Sequence, residues 1–369
     1  MKYFYILLTL IITACGGSEP VSVSEDERLG SLPRFIIEPE SNQSNKEKVA
    51  LGKLLFWDPI LSGDRDIACA SCHHPSNAYA ENIDLSIGVG GIGLSKDRHM
   101  GKLIKRNAPT IINTAFNGID VNNQYNPSDT VMFWDNRASN LEDQAMAVLL
   151  TDVEMRGQNY SEEEIIDELV YRLTENEEYL ALFTEAFGDS QITGERIVKA
   201  IAAFERSILS FDSPFDRYAR GDDSALDSEQ IRGLNAFIDA GCNSCHSGPM
   251  FSDFELHALP ISKNKKLIEE GIIDEGLDGK FRTPSLRNVA LTAPYMHNGT
   301  ENSLIDAISF YDDISNPQND PDLGSLDFED VEDETLEAIE AFLEALTDQS
   351  FDKTVPESVP SGLNPGGDI

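Results

Sequence analysis

The chain has 369 residues, which is enough for about two domains of ordinary size. Hydrophobic residues make up 40% of it and aromatic residues 8%, so global disorder is excluded. Its 65 Asp and Glu outnumber 28 Lys and Arg, and the net charge of −37 argues against nucleic-acid binding, because such a surface repels phosphates. The same surface suits a basic protein partner, or it simply keeps the protein soluble.

The N-terminal residues have the pattern of a bacterial export signal. The apolar run over residues 3–12 is too short to span a bilayer and is typical of a signal-peptide core. Residues 12–15 resemble a lipobox, in which Cys15 is lipidated after cleavage; the alternative is a simple secretion signal with an incidental cysteine. We therefore predict a signal peptide over residues 1–14, a tether over residues 15–42, and a periplasmic protein whose lipid anchor is compatible with the outer membrane.

The other four of the five cysteines form two pairs of identical spacing, each followed by a histidine. The motifs are Cys69-Ala70-Ser71-Cys72-His73 and Cys242-Asn243-Ser244-Cys245-His246. C-x-x-C-H is the attachment signature of c-type haem, in which the thiols form thioethers with the haem vinyl groups and the histidine binds the iron. A redox dithiol, a zinc site or a disulfide would also suit a single match. Two matches in an exported chain, with no cysteine left over, favour two covalently bound haem c groups.

The rest of the chain has helical periodicity and few β signals, which predicts an all-α fold. Residues 52–56 and 233–237, which precede the two motifs, have related sequences, so each motif is part of an internal repeat. Residues 161–187 begin with Ser161 and Glu164, a capping-box pattern that favours the start of a helix. Further helices are expected over residues 195–209, 303–311 and 333–346.

The repeat and the chain length together predict two cytochrome c-like haem domains. The charged segment over residues 212–227 contains a proline and a glycine, and we expect the domain boundary there. We assign residues 43–220 to the N-terminal domain and residues 221–350 to the C-terminal domain. Residues 351–369 are rich in proline and glycine, and we expect a disordered tail.

Several further blocks of sequence occur in order along residues 45–345. They are Arg106–Thr110, Phe133–Ala138, Leu141–Ala145, Val153–Met155, Phe281–Asn288 and Leu291–His297. Together with the two motifs, these blocks resemble the bacterial di-haem cytochrome c peroxidases and their MauG-like relatives. The resemblance implies two haem c groups in two domains with a haem–haem interface, H2O2 as the substrate and the N-terminal haem as the site of its reduction.

The resemblance also implies three catalytic side chains. Gln144 and Glu154 match residues on the distal side of the first haem, where a proton has to move between the peroxide oxygens and the departing water needs polar contacts. Trp134 matches a tryptophan between the two haems, which shortens the path of an electron. Read without the family, Gln144 and Glu154 are better explained as surface helix residues of a very acidic chain, and Trp134 suits a hydrophobic core.

Further cofactor contacts follow from the same resemblance. The family has a calcium ion between its domains, and the matching ligands are the Asn107 side chain and the backbone carbonyls of Thr292 and Pro294. Arg137 and Arg282 are candidates to pair with haem propionates, for which a guanidinium is well shaped. A turn built by Asn and Pro, and surface salt bridges, are the respective alternatives.

The axial positions depart from the better-known peroxidases. Many of those carry a distal histidine where this chain has Val89, which cannot bind iron, and His99 is the nearest spare histidine but is expected to be exposed. We therefore predict a first haem that is open without reductive activation. At the second haem, Tyr311 stands fourteen residues after His297, where peroxidases have methionine and MauG-like members tyrosine. Met296 or no ligand is the alternative, and His297 is expected to be a hydrogen-bonding neighbour of that haem.

Three functions from different classes remain open. The first is a peroxidase that reduces H2O2 to water with electrons that enter through the C-terminal haem from a small cytochrome or cupredoxin. The second is a MauG-like enzyme that uses H2O2 to oxidise residues of a partner protein, which Val89 and Tyr311 favour. The third is a non-catalytic di-haem electron-transfer protein, against which Gln144 and Glu154 argue. The donor and the oligomeric state, a homodimer included, are not readable from the sequence.

Overall fold

A computed structural model describes residues 29–314 and 332–369. Within them the chain is helix-rich with few strands, as expected. The α-helices are α1 (Lys46–Trp57), α2 (Cys69–Cys72), α3 (Leu141–Leu150), α4 (Glu162–Thr174), α5 (Glu177–Phe187), α6 (Gly194–Arg206), α7 (Pro214–Ala219), α8 (Ser228–Asp239), α9 (Lys265–Glu270), α10 (Leu304–Ile314) and α11 (Asp333–Glu344). The strands are β1 (Gly91–Ile92), β2 (His99–Met100), β3 (Leu256–His257) and β4 (Phe281–Arg282), and they form the antiparallel pairs β1–β2 and β3–β4.

Two hydrophobic cores organise the helices. The first core is built by α1, α3, α4, α5 and α6 around residues such as Leu55 and Ile201. The second core is built by α7, α8, α10 and α11, and Phe215 of α7 packs in it against Phe342 of α11. Because Phe215 and Tyr218 of α7 belong to the second core, that packing unit begins inside the charged segment 212–227 and before the assigned division at residue 220.

The internal repeat is visible as a pair of matching helix crossings. Gly52 of α1 faces α6, and a Cβ atom at this position would overlap the carbonyl oxygen of Ala200. Gly233 of α8 faces α11 in the same way, and a Cβ atom there would overlap the carbonyl oxygen of Ala338. In each half, a glycine therefore lets the helix before the C-x-x-C-H motif cross a second helix at close range.

The helices that the sequence predicts are present, with one division. The capping box at Ser161 is confirmed, since the Glu164 carboxylate accepts a hydrogen bond of 3.0 Å from the backbone N–H of Ser161. The expected helix over residues 161–187 is two helices, because the Asn176 side chain accepts from the backbone N–H of Glu178 and Tyr179 and starts α5 as a new helix.

The expected disorder of residues 351–369 is wrong, because this segment packs in a separate hydrophobic cluster beside the first motif, with Phe56, Tyr79 and Phe204. Phe351 and Val359 are buried, and the Ser361 hydroxyl donates to the fully buried Asp58 carboxylate at 2.6 Å. The backbone N–H of Gly366 donates to the carbonyl of Trp57 at 2.7 Å. Local composition is typical of a loop, but long-range partners on the N-terminal domain order it.

The expected tether over residues 15–42 is partly wrong, because residues of this segment also have partners far along the chain. Leu32 is buried, and its backbone N–H donates to the Asp216 carboxylate at 3.0 Å. Arg287 donates to the carbonyl of Gly30 at 2.9 Å. Residues 1–28, with the expected signal peptide and Cys15, lie outside the described residues. No helix in residues 29–314 or 332–369 is both long and apolar enough to cross a membrane.

Candidate functional site: two cavities with a shared wall

The first cavity, of about 190 Å³, lies beside the first C-x-x-C-H motif. Its wall includes Cys69 and Cys72 of α2 and the adjoining His73. Both thiols are free rather than joined in a disulfide. Gln144 and Glu154 line the same cavity, so the structure brings the motif and the two predicted polar residues together.

The imidazole of His73 is held in one orientation. Its Nδ1 lies 2.9 Å from the carbonyl oxygen of Tyr79. Burial lowers the pKa of His73, which the carbonyls of Tyr79 and Pro109 offset only in part. A neutral imidazole whose Nδ1–H is bound to a carbonyl keeps its Nε2 lone pair for a metal, so His73 has the protonation state that an iron ligand needs.

Gln144 and Glu154 reach the first cavity from consecutive elements. Gln144 lies on the cavity-facing side of α3, whose lining residues follow one helix face. They are Leu141, Gln144, Ala145, Val148 and Leu149. Glu154 lies in a single π-helical turn, Asp152–Arg156. Burial raises the pKa of the Glu154 carboxyl, against the lowering effect of Arg137 and Arg106. Glu154 therefore holds a proton more readily than a surface glutamate does.

Val89, at the position of the distal histidine in many peroxidases, and His99, the nearest spare histidine, do not line the first cavity. Val89 is buried in the first core, and its backbone N–H donates to the carbonyl of Val153 at 3.1 Å. His99 is exposed on β2, and its Nδ1 lies 2.8 Å from the carbonyl of Asp97. The exposure of His99 is as expected, and the open first haem stays a prediction.

The second cavity, of about 210 Å³, lies beside the second motif. Cys242 and Cys245, both free thiols, line it together with His246. The Nδ1 of His246 lies 3.0 Å from the carbonyl oxygen of Phe251, which repeats the arrangement at the first motif. Burial lowers the pKa of His246 as well, so the neutral form is favoured. The two halves thus present the same ligand chemistry.

Three predicted neighbours of the second haem line this cavity. Tyr311 reaches it from α10, and burial raises the pKa of its phenol above the usual range. Met296 and His297 contribute from the loop before α10. The ring of His297 stacks on Phe281, with 3.6 Å between centroids, and burial lowers its pKa to about 4. Its Nδ1 is buried without a hydrogen-bond partner among the described residues, so it is available to a group in the cavity.

One wall separates the two cavities. The residues that line both are Asn107, Pro109, Thr110, Trp134 and Arg282. Trp134 is buried at the centre of this wall, where its indole N–H donates to the carbonyl of Asn107 at 3.0 Å. Its own carbonyl accepts from the backbone N–H of Arg282 at 2.7 Å. The only aromatic ring among these five residues is therefore that of the predicted tryptophan.

Arg282 provides a test of whether the cavities fit haem. Its guanidinium is buried, donates only to the carbonyls of Phe133 and Thr283, and forms no ion pair among the described residues. Burial lowers its pKa to about 10. A buried cation without a counter-ion is unfavourable, and an anionic group in the adjoining cavity would correct this. A haem propionate supplies such a charge, so these residues fit haem c.

The remaining predicted contacts are less distinctive. Arg137 lines the first cavity but is half-exposed and binds the carboxylate of Asp135 at 2.8 Å. Asn107, Thr292 and Pro294 all line the second cavity, so the predicted calcium ligands share one region of the fold. The calcium ion itself stays a prediction.

The structure also assembles polar residues that the sequence reasoning missed. The guanidinium of Arg106 donates two hydrogen bonds of 2.6 and 2.8 Å to the carboxylate of Asp274. This pair joins a residue that precedes α7 in the chain to one that follows the second motif. His257 binds Asp253 at 2.9 Å beside the second motif, and this contact raises the pKa of the imidazole to about 10. Glu205 of α6 lines the first cavity. The signal for Glu205 was its position one turn after Ile201 on an otherwise apolar helix face.

Comparisons with known proteins agree with this site. A family model described as di-haem cytochrome c peroxidase matches residues 46–224. The chain is 32% identical to the methylamine utilization protein MauG of Methylorubrum extorquens over 360 residues, 94% of this chain and 93% of that protein. It is 30% identical to the cytochrome c551 peroxidase of Pseudomonas aeruginosa over 314 residues, 81% of each chain.

Solved structures show the same fold. A MauG-like protein associated with microbial copper homeostasis superposes with a TM-score of 0.67 at 28% identity, over 86% of this chain and 95% of that one. The diheme peroxidase BthA of Burkholderia thailandensis superposes with a TM-score of 0.65 at 23% identity, over 89% of this chain and 93% of that one.

The fold and the relatives define a class of protein, the oxidoreductases that act on peroxide with c-type haem. The chain belongs to the di-haem cytochrome c peroxidase and MauG family.

Proposed function

We propose that this protein is a di-haem c-type peroxidase that reduces H2O2 to water at the first cavity. In this proposal Cys69, Cys72 and His73 hold one haem c, and Cys242, Cys245 and His246 hold the other. Bound haem supplies the iron at which the O–O bond is cleaved and the electrons that the cleavage consumes. The protein supplies the proton transfers, the orientation of peroxide and the separation of the two haems.

The observation that carries the proposal is that Glu154 and Gln144 line the same cavity as the first motif. The pKa of Glu154 is raised by burial, which suits a carboxyl that takes a proton from one peroxide oxygen and returns it to the other. The amide of Gln144 has both a donor and an acceptor, so it can orient the peroxide and bind the water that departs. A non-catalytic electron carrier would have no use for this pair.

Electrons enter, in this proposal, through the second haem from a small cytochrome or cupredoxin. Trp134 lies in the wall between the cavities, and its indole is fixed by the hydrogen bond to Asn107. An aromatic ring held there shortens the path between the haems. Arg282 lines both cavities, and its charge, which has no ion-pair partner in residues 29–314 and 332–369, suits a haem propionate.

A second function is favoured by one observation, the presence of Tyr311 on the wall of the second cavity. A phenolate ligand stabilises ferric and higher oxidation states, whereas methionine favours ferrous iron. Iron bound by Tyr311 would therefore store oxidising equivalents and serve the MauG-like oxidation of a partner protein. Met296 lines the same cavity and would favour the peroxidase.

We also propose that the protein works in the bacterial periplasm and is held at the outer membrane by a lipid on Cys15. This proposal rests on the sequence before residue 29. Separately, we propose that Asn107, Thr292 and Pro294 hold a calcium ion, because their oxygen atoms are the ligands that calcium prefers.

The test is the substitution Glu154→Gln, which keeps the size of the side chain and removes its ability to accept a proton. We expect peroxide-dependent oxidation of a reduced small cytochrome c to fall by about 10²–10⁴-fold, with both haem spectra unchanged. The matched control is Glu163→Gln on the exposed side of α4, which should retain full turnover. Full turnover in Glu154→Gln would remove Glu154 from the mechanism.

A further inference from the structure

We propose that Glu205 is a redox-linked proton site of the first cavity. It takes up one proton when the haem bound there gains an electron, and it releases that proton when the electron leaves. This inference rests on the proposed binding of haem c by the first motif. It assigns a role to a carboxyl that the proposed peroxide chemistry, with Glu154 and Gln144, does not use.

Glu205 is a buried carboxyl on the wall of a cavity. It lies on α6, is 5% exposed, and lines the first cavity one helical turn after Ile201. Its Oε2 has no hydrogen-bond partner among the described residues. A buried carboxylate in such surroundings is costly, so the group stays protonated or depends on charge inside the cavity.

The charged side chains around Glu205 do not neutralise it. Arg206, the next residue, directs its guanidinium to the carboxylate of Glu142 on α3, with bonds of 2.8 and 2.6 Å. Burial, and after it the charge of Glu205, raise the pKa of the Cys69 thiol on α2 to about 12. The ammonium of Lys53 on α1 is paired with the carboxylate of Asp352 at 2.6 Å. Burial raises the pKa of Glu205 to about 8, and Arg206 lowers it less than burial raises it.

Such a carboxyl responds to the charge of the cavity. With one more positive charge in the cavity, the carboxylate is favoured; with one fewer, the protonated form is favoured, because the interaction is poorly screened at a buried site. One electron from the donor protein and one proton from solvent therefore arrive together. Reduction of H2O2 to two molecules of water consumes two electrons and two protons, and Glu205 would hold one of those protons inside the cavity beforehand.

The experiment measures the reduction potential of the first haem as a function of pH by spectroelectrochemistry, in the holoprotein and in Glu205→Gln. In the wild-type protein, we expect the potential to fall as the pH rises through the neutral to alkaline range, by at most ~59 mV for each tenfold fall in proton concentration. In Glu205→Gln this dependence should be lost. The control is Glu195→Gln, an exposed position on the same helix, which should behave as wild type. A pH dependence retained in full by Glu205→Gln overturns the inference.

A second measurement keeps the inference falsifiable if Glu205→Gln does not fold. Redox-difference infrared spectroscopy of the wild-type protein should show the carbonyl stretch of a protonated carboxyl appearing on reduction, and the band should persist in Glu154→Gln. Absence of the band, or its loss in Glu154→Gln, overturns the inference. The proposed function is tested separately, by a peroxide turnover assay. If the protein showed no turnover, a pH dependence of the reduction potential that is lost in Glu205→Gln would still support the proton site.

Discussion

Phe351 should anchor the C-terminal segment to the first motif, and Phe351→Ala tests this directly. The side chain is 5% exposed and meets Tyr79 edge to face, with ring centroids 5.9 Å apart. Tyr79 is fully buried, and its carbonyl fixes the imidazole of His73. The segment around Phe351 therefore supports the backbone that orients the first proposed iron ligand.

The magnitude follows from burial. Truncation of a fully packed phenylalanine to alanine removes its hydrophobic transfer energy and leaves a cavity, which together destabilise a protein by about 3–5 kcal/mol. We expect Phe351→Ala to lower the free energy of unfolding of the N-terminal half by this amount. Urea titration of the holoprotein, followed by haem absorbance, measures the loss.

The control is Phe35→Ala, because Phe35 is 72% exposed and its truncation should change the free energy of unfolding by no more than about 0.5 kcal/mol. If Phe351→Ala were as stable as Phe35→Ala, the packing of residues 351–369 beside the first motif would be refuted, and the disorder expected from composition would be restored.

Two further predictions concern helix packing and pH. Gly52→Ala should destabilise the protein by about 1–3 kcal/mol in urea titration, because the added methyl group has to force α1 away from Ala200 of α6. Burial raises the pKa of Asp274, but the hydrogen bonds and charge of Arg106 outweigh it and hold the pKa at about 2. Since the folded pKa lies below the unfolded value, this pair should contribute about 2 kcal/mol above pH 4 and lose it as the pH falls towards 2. Asp274→Asn should therefore reduce the acid sensitivity of the free energy of unfolding.

These two predictions have separate controls. Gly30→Ala is the control for Gly52→Ala, because nothing lies within 4 Å of a Cβ atom at Gly30. Equal stability of these two variants would contradict the close helix crossing. For Asp274→Asn, the comparison is the free energy of unfolding at pH 6 and pH 3 in both proteins. Parallel acid losses would show that Asp274 is not held at a low pKa.

The parts of the site that the sequence predicted were those with a local pattern. Each C-x-x-C-H motif predicts haem attachment from five consecutive residues. Gln144, Glu154 and Trp134 were predicted because they lie within the ordered blocks that resemble the family. Tyr311 followed from its distance to His297. All these residues line the cavities.

The parts that the sequence did not predict depend on partners far along the chain. Asp58 and Ser361 bind each other across 303 positions, and no local pattern relates them. Arg282 was a candidate from its sequence block, but the sequence could not show that its guanidinium is buried and has no anionic partner among the described residues. Glu205 was hidden by the abundance of acidic residues, since a single carboxylate on an apolar helix face is inconspicuous in so acidic a chain.

The central claim is that this protein reduces H2O2 with electrons from a small redox protein. Stopped-flow mixing of the di-haem protein with one equivalent of H2O2, and then with reduced small cytochrome c, tests it most directly. The account predicts rapid oxidation of the cytochrome over many turnovers, without prior reduction of the enzyme. A long-lived oxidised state that does not react with the cytochrome would contradict it and would favour Tyr311 as an iron ligand and a protein substrate.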